Sequence, residues 1–236
     1  MPSHPNVTSG SVITTEHSIN YRRLAELYHE FNALWERLQA FYLDSVAGFH
    51  FLIAHLRDEQ ERVRGLVHGS ELDSEAFQDT RLFNYDNIFP NGFCTSGIHH
   101  ATQGAVKVRN AQWGANFNTV GQLCIISFFD FWNDYLRVEY VKAKGLYDQK
   151  NRDECLRTHA SYDLWGDLYY IRTSIVHHRG IATDAVSKCK LIKCFNPGDE
   201  IIISPELMRD IFLKLLSYRN SLHQEQFEPK TFMLNV

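Results

Sequence analysis

The chain has 236 residues, 24 Lys and Arg against 28 Asp and Glu for a formal net charge of −4, and 44% hydrophobic residues. That composition excludes a disordered chain, which stays unfolded through low hydrophobicity and high net charge. It also lacks the cationic excess of proteins that hold nucleic acid by bulk charge. At about 150 residues per domain, the length fits one large domain or two small ones. The first 18 residues are polar, without the charged start and apolar centre of a signal peptide. The longest apolar run, residues 123–132, is interrupted by Ser127 and Asp130 and falls short of the ~20 residues of a membrane span. Together with five scattered cysteines, these features predict a cytoplasmic protein with reduced thiols and no membrane partner.

In chain order, residues 20–64 hold no Pro and a single Gly, Gly48. Leu24, Phe31, Leu38 and Leu52 form one row at heptad spacing, with Ser45 as its gap. A second row four residues on holds Tyr28, Trp35, Tyr42, Phe49 and Leu56. This predicts a long amphipathic helix. At 1.5 Å per residue it spans about 65–70 Å, so it is expected to break near Gly48 or to project toward a partner. Residues 65–97 read as a long irregular connection, and about 99–118 are polar and weakly periodic. Residues 120–144 are apolar around most of a helical circumference and predict a central buried helix stopped by Gly145.

A further helix is expected over residues 161–178, closed by Gly180. Residues 190–195 and 200–203, flanking Asn196-Pro197-Gly198-Asp199, read as a β-hairpin. Ser204-Pro205 is an N-cap followed by Pro at the first helical position, and opens a last helix to about residue 222. The fold class expected is therefore mainly α: a helical bundle with a long N-terminal helix and a small β-hairpin before the last helix.

The segment 170–180 (YIRTSIVHHRG) sets two guanidinium groups and two imidazoles at the end of an apolar helix. Between Arg172 and Lys193 there are five Lys or Arg (172, 179, 188, 190 and 193) against one acid, Asp184. Cations suit a helix C-terminus for electrostatic reasons alone. An imidazole, with an ordinary pKa near 6.5, can take or give a proton at neutral pH. A guanidinium can hold a phosphate and offset its charge.

Arg172, four intervening residues, His177 and then Gly180 resemble the R-x4-6-H motif of the HEPN family (higher eukaryotes and prokaryotes nucleotide-binding). Gly166-Asp167-Leu168 before the motif and the aromatic, acidic segment 131–137 fit the same pattern, and the resemblance covers about residues 120–222. It implies a metal-independent endoribonuclease without cofactors, acting on RNA at a composite site of a homodimer and leaving a 2′,3′-cyclic phosphate. It further implies a toxin or antiviral-defence setting with an antitoxin or sensor partner. Arg172 and His177 take the catalytic places, with His178 as the competing histidine. Thr173, Arg179, Asp134, Lys190 and Lys193 take supporting or RNA-binding places, with Asp130 paired to Asp134 as a carboxylate couple that could orient Arg172 or His177. Arg179 stands where some relatives carry a tyrosine.

Residues five apart differ by about 140° around a helix, so Arg172 and His177 are not expected to share a face within one chain. This geometry favours a site completed by a second copy. His99-His100 near Cys94 lack the spacing of a zinc site, and no metal is expected. The expected division is an extended or disordered stretch over 1–18, a long helix with an irregular connection for dimerisation over 19–97, and a HEPN-like helical core over 98–236. A non-catalytic module that contacts RNA, nucleotide or protein, and a purely structural protein built on the long helix, stand as alternatives.

Overall fold

A computed structural model describes residues 18–67, 69, 71–83 and 101–227. The expected irregularity of residues 1–18 and the Cys94, His99 and His100 group lie outside the described residues, apart from Ser18. The fold is mainly α, a helical bundle built around a long N-terminal helix. That helix, α1 (Tyr21–Leu66), runs 46 residues without a break, about 69 Å at 1.5 Å per residue. Asn20 caps it by accepting the Arg23 N–H at 3.0 Å. No atom lies within 4 Å of where a Cβ on Gly48 would sit, so this glycine marks neither a break nor a close approach.

The length is absorbed by two separate apolar clusters along α1. Leu24, Leu27, Phe31, Leu34 and Tyr42, in its first half, share one core with every later helix from α4 onward. Leu56, in its second half, packs instead with Phe83 and Val106. The smaller cluster involves α2 (Glu75–Thr80), strand β1 (Leu82–Phe83), strand β2 (Ala101–Thr102) and α3 (Gln103–Asn110). Antiparallel pairing sets Leu82 opposite Thr102 and Phe83 opposite Ala101. Beside it, Gln60 bonds Asp79 and Gln103 at 2.9 Å each, and Lys107 reaches Asp79 at 2.7 Å. The expected boundary at residue 97 therefore does not separate two cores: the first half of α1 belongs to the main one, and α3 to the satellite.

The central helix begins as α4 (Ala115–Phe131), widens into a π turn (Trp132–Leu136) and continues as α5 (Arg137–Ala143). Next come α6 (Arg152–His159), α7 (Asp163–His177), a 3₁₀ turn (Asp184–Lys188) and α8 (Pro205–Phe227). Aromatic rings fill the centre. Trp132 stacks on Trp165 at 5.0 Å with an interplanar angle of 11°, and Phe31 meets Trp165 and Tyr218 edge-on. Each such pair contributes about 0.5–1.5 kcal/mol beyond its burial. No described helix is long and apolar enough to cross a membrane.

A small antiparallel element precedes α8, but its partner differs from the expected one. Glu200 bridges Ile181, with Ile201 N–H bonded to Gly180 O at 2.7 Å and Ala182 N–H to Asp199 O at 2.8 Å. Residues 190–195 form no strand. Their first three backbone N–H groups are occupied elsewhere: Lys190, Leu191 and Ile192 donate to the Asp167 carboxylate at 2.8, 2.6 and 2.8 Å. Asn118 and Gln122 of α4 pin the other arm, through Ile203 N–H at 2.9 Å and Ile201 O at 3.1 Å. Gly121 permits this approach, because a Cβ there would lie 2.5 Å from Ile203 Cγ2. Ser204 caps α8 as expected, accepting the Leu207 N–H at 3.1 Å.

Candidate functional site

Arg172 lies on the side of α7 that faces the end of α4. Its apolar neighbours Leu168 and Ile171 are fully buried, so the helix is anchored while Arg172 stays at the rim, its side chain 24% exposed. Arg172 Nη1 lies 3.1 Å from His177 Nε2. A guanidinium can only donate, so this contact makes Nε2 an acceptor and places the proton of a neutral ring on Nδ1. Contrary to the helical-wheel expectation, one chain brings the pair together. The reason is reach: the arginine side chain spans more than a helical turn, and His177 is the last residue of α7.

Behind Arg172, Asp130 Oδ1 lies 3.3 Å from its Nε, with the carboxylate side chain 40% exposed. The Nε–H is not aligned for a hydrogen bond and has no such partner among the described residues, so the contact is ionic. Asp130 occupies the last turn of α4, directly before the π turn. Such single π turns occur often at functional sites. Asp134, the expected supporting carboxylate, is exposed and accepts from Asn133 Nδ2 at 2.6 Å. Of the pair, Asp130 is the one that meets Arg172.

The chain leaves α7 through an unusual turn. Arg179 has φ 55° and Gly180 φ 79°, and Arg179 is the single non-glycine residue with positive φ among the described residues. A side chain in that region costs about 1–2 kcal/mol, and such strain gathers at functional sites. Gly180 N–H reaches back to Ser174 O at 3.0 Å, and the buried Ser174 hydroxyl accepts the Thr183 N–H at 3.3 Å. The turn wraps an open recess of about 440 Å³ lined by His177, His178, Arg179, Ile181, Thr183 and Asp184. Both histidines and Arg179 are exposed, whereas Thr173 is half-buried beside Arg172. His177 is the histidine joined to Arg172; His178 shares the recess alone.

The two lysines do not extend this site as one basic cleft. Lys190 pairs with Asp163 at 2.6 Å, at the opposite end of α7 and about 20 Å along the helix from His177. That ion pair holds the Lys190 ammonium above its ordinary range. Lys193 is exposed, one residue beyond the segment bound to Asp167. Consequently the positive charge that looks continuous along residues 172–193 is divided between the two ends of α7. Among the described residues no group of three or more His, Cys, Asp or Glu converges as metal ligands. Cys189 is buried against Asp167 O, and burial pushes its thiol up to about 12.

Sequence reasoning missed two features of this region. Asp130 enters only as a pair with Asp134, and nothing in the spacing distinguishes them. Asp167 stands in the approach to the motif; its place on the same helical face as Leu164, Leu168 and Ile171 is the available sign of an inward carboxylate. Compared with family models, characterised proteins and solved structures, the chain finds no match.

Proposed function

We propose that this protein is a metal-independent endoribonuclease of HEPN type that acts as a homodimer, in a toxin or antiviral-defence role against cellular or phage RNA. The observation that carries this reading is the 3.1 Å contact between Arg172 and His177 beside an open recess. In the free site Arg172 shields the Nε2 lone pair. An RNA phosphate competes for the same guanidinium, because a bidentate phosphate contact is stronger than one bond to a neutral imidazole. Once Arg172 turns to the phosphate, Nε2 is free to take the 2′-hydroxyl proton. The 2′-oxygen then attacks phosphorus and the 5′-oxygen leaves, protonated by the His177 imidazolium of the second copy. The products are a 2′,3′-cyclic phosphate and a 5′-hydroxyl.

Support for a dimer comes from the surface around Arg172. Leu123 and Asp130, seven apart on α4, and Tyr169 and Val176, seven apart on α7, form two stripes flanking it. Leu123, Tyr169 and Val176 are exposed apolar side chains there, joined by Ile181 of the turn. Such a patch around a charged centre fits a self-complementary interface. The alternative, a non-catalytic module that contacts RNA, nucleotide or protein, is favoured by one observation: Arg172 is already engaged within the chain, by an ionic contact to Asp130 and a 3.1 Å contact to His177.

The discriminating experiment incubates the full chain with a mixed RNA substrate in EDTA and analyses the product ends. Cyclic phosphate ends that disappear with His177→Ala support the nuclease. Intact RNA across substrates, or equal cutting by the variant, overturns it.

A further inference from the structure

The recess beside His177 contains an acid that the proposed cleavage chemistry does not use. Asp184 lines it together with His177, His178, Arg179, Ile181 and Thr183. Phosphate oxygens are negative and only accept hydrogen bonds, so a recess that served the RNA backbone alone would carry cations and donors. A carboxylate there repels the backbone. Nor is this carboxylate spent within the fold: Asp184 is exposed and makes no hydrogen bond or ion pair among the described residues. Arg179 is likewise exposed and unpaired among them. The two opposite charges thus line one recess of about 440 Å³ without forming an ion pair, which leaves a guanidinium fork and a two-oxygen acceptor for a molecule from outside. That volume belongs to the range of ligand sites, about 300–1,000 Å³.

We infer that the recess holds a guanine base of the RNA, next to the phosphate taken by Arg172, and that Asp184 and Arg179 select it. The inference rests on the nuclease reading of Arg172 and His177. Guanine is singled out by its hydrogen-bonding groups. Its Watson–Crick edge offers two adjacent donors, N1–H and the 2-amino group, which match the two oxygens of one carboxylate. Its other edge offers two adjacent acceptors, O6 and N7, which an arginine fork meets bidentately. Adenine and cytosine set one amino donor beside an acceptor, and uracil sets one N–H between two carbonyls, so each turns an acceptor toward the carboxylate. Unstacked RNA bases rest on planar side chains; His178 supplies such a plane and Ile181 an apolar contact. His177 lines the recess and also meets Arg172 at 3.1 Å, so one nucleotide can engage both places at once.

Trinucleotides in which hydrogen replaces every 2′-hydroxyl have no internal nucleophile, so they probe the base subsite apart from catalysis. Isothermal titration on the full chain compares ApGpA with ApApA and with ApIpA, whose inosine lacks only the 2-amino group. The guanine form is expected to bind about tenfold more tightly than either. Asp184→Asn is expected to erase that preference, and His178→Ala to weaken all three forms alike by several-fold; a circular-dichroism melt verifies that each variant is folded. Guanosine 5′-monophosphate, which lacks the flanking nucleotides, is expected to bind at least about tenfold more weakly than ApGpA. Equal affinity for the guanine and inosine forms, a preference that survives in folded Asp184→Asn, or a monophosphate bound as tightly as the trinucleotide overturns the inference. Cleavage of a mixed oligoribonucleotide in EDTA is measured alongside. Guanine-selective binding without cleavage supports the subsite, assigns it to a binding module and overturns the nuclease reading. Cleavage without guanine-selective binding overturns the subsite and keeps the nuclease.

Discussion

Along the first half of α7, Asp167 is 1% exposed and accepts three backbone N–H bonds of 2.6–2.8 Å from residues 190–192. Beside the second half, Asp130 is 40% exposed and meets Arg172 Nε at 3.3 Å without hydrogen-bond alignment. One carboxylate is saturated by fixed partners and costs the fold dearly if removed. The other leaves its arginine able to turn toward a ligand. The contrast separates two kinds of carboxylate along one helix: Asp167, saturated by fixed partners, holds the fold, while the half-buried Arg172–Asp130 pair lacks hydrogen-bond alignment and is, on the proposed reading, the part that meets RNA.

The strongest way to break the comparison is at His177. His177→Ala is expected to lower RNA cleavage by about 10²–10⁴-fold while shifting stability by no more than about 0.5 kcal/mol; product-end analysis and a urea titration measure the two effects. A large loss of stability would show that the second half of α7 is an anchor as well. Asp167→Ala tests the other side. Removing a buried carboxylate whose two oxygens accept three charge-assisted hydrogen bonds is expected to cost about 2–4 kcal/mol, read as a lower urea midpoint with unchanged slope.

A smaller effect sharpens the role of Asp130. Asp130→Asn is expected to reduce cleavage on the order of tenfold, the loss of one charge-assisted contact, and to leave the urea midpoint within experimental error. An unchanged rate would remove Asp130 from the site. Arg179→Gly relieves the left-handed backbone and is expected to stabilise the chain by about 1 kcal/mol while weakening RNA binding. A destabilised variant would mean that the side chain, and not the turn, is what the structure needs there.

The last effect vanishes at neutral pH. Burial pushes Cys124, Cys189 and Tyr42 up to about 12, from ordinary values of 9.0 for the thiols and 10.0 for the phenol. Above pH 9 the unfolded chain releases these protons while the folded chain retains them, so unfolding becomes more favourable. Stability is expected to be full below pH 9 and to fall progressively toward pH 12. Urea midpoints at a series of alkaline pH values measure this, and a flat profile would show that these groups are not buried as described.

The long first helix, the apolar central helix, the Ser204-Pro205 start of α8 and the His177-to-Gly180 end of α7 were legible in residue order, because periodicity, caps and glycine stops are local signals. Arg172 and His177 stand out as a candidate pair only through the resemblance of their spacing to the R-x4-6-H motif. Their contact was not legible in residue order, since a wheel counts Cα directions and ignores the reach of an arginine side chain. Tertiary structure alone decided the remainder. It divided one run of 22 residues carrying five Lys and Arg between two ends of a helix, because Lys190 found Asp163. It replaced an expected strand with a loop, because Asp167 took the N–H groups that a strand would need. It also chose Asp130 over Asp134, and gave the two halves of an unbroken 46-residue helix different cores. Net charge of −4 excluded a surface that grips nucleic acid everywhere; where the few unspent cations stand depends on partners distant in sequence, and only the folded chain brings those partners together.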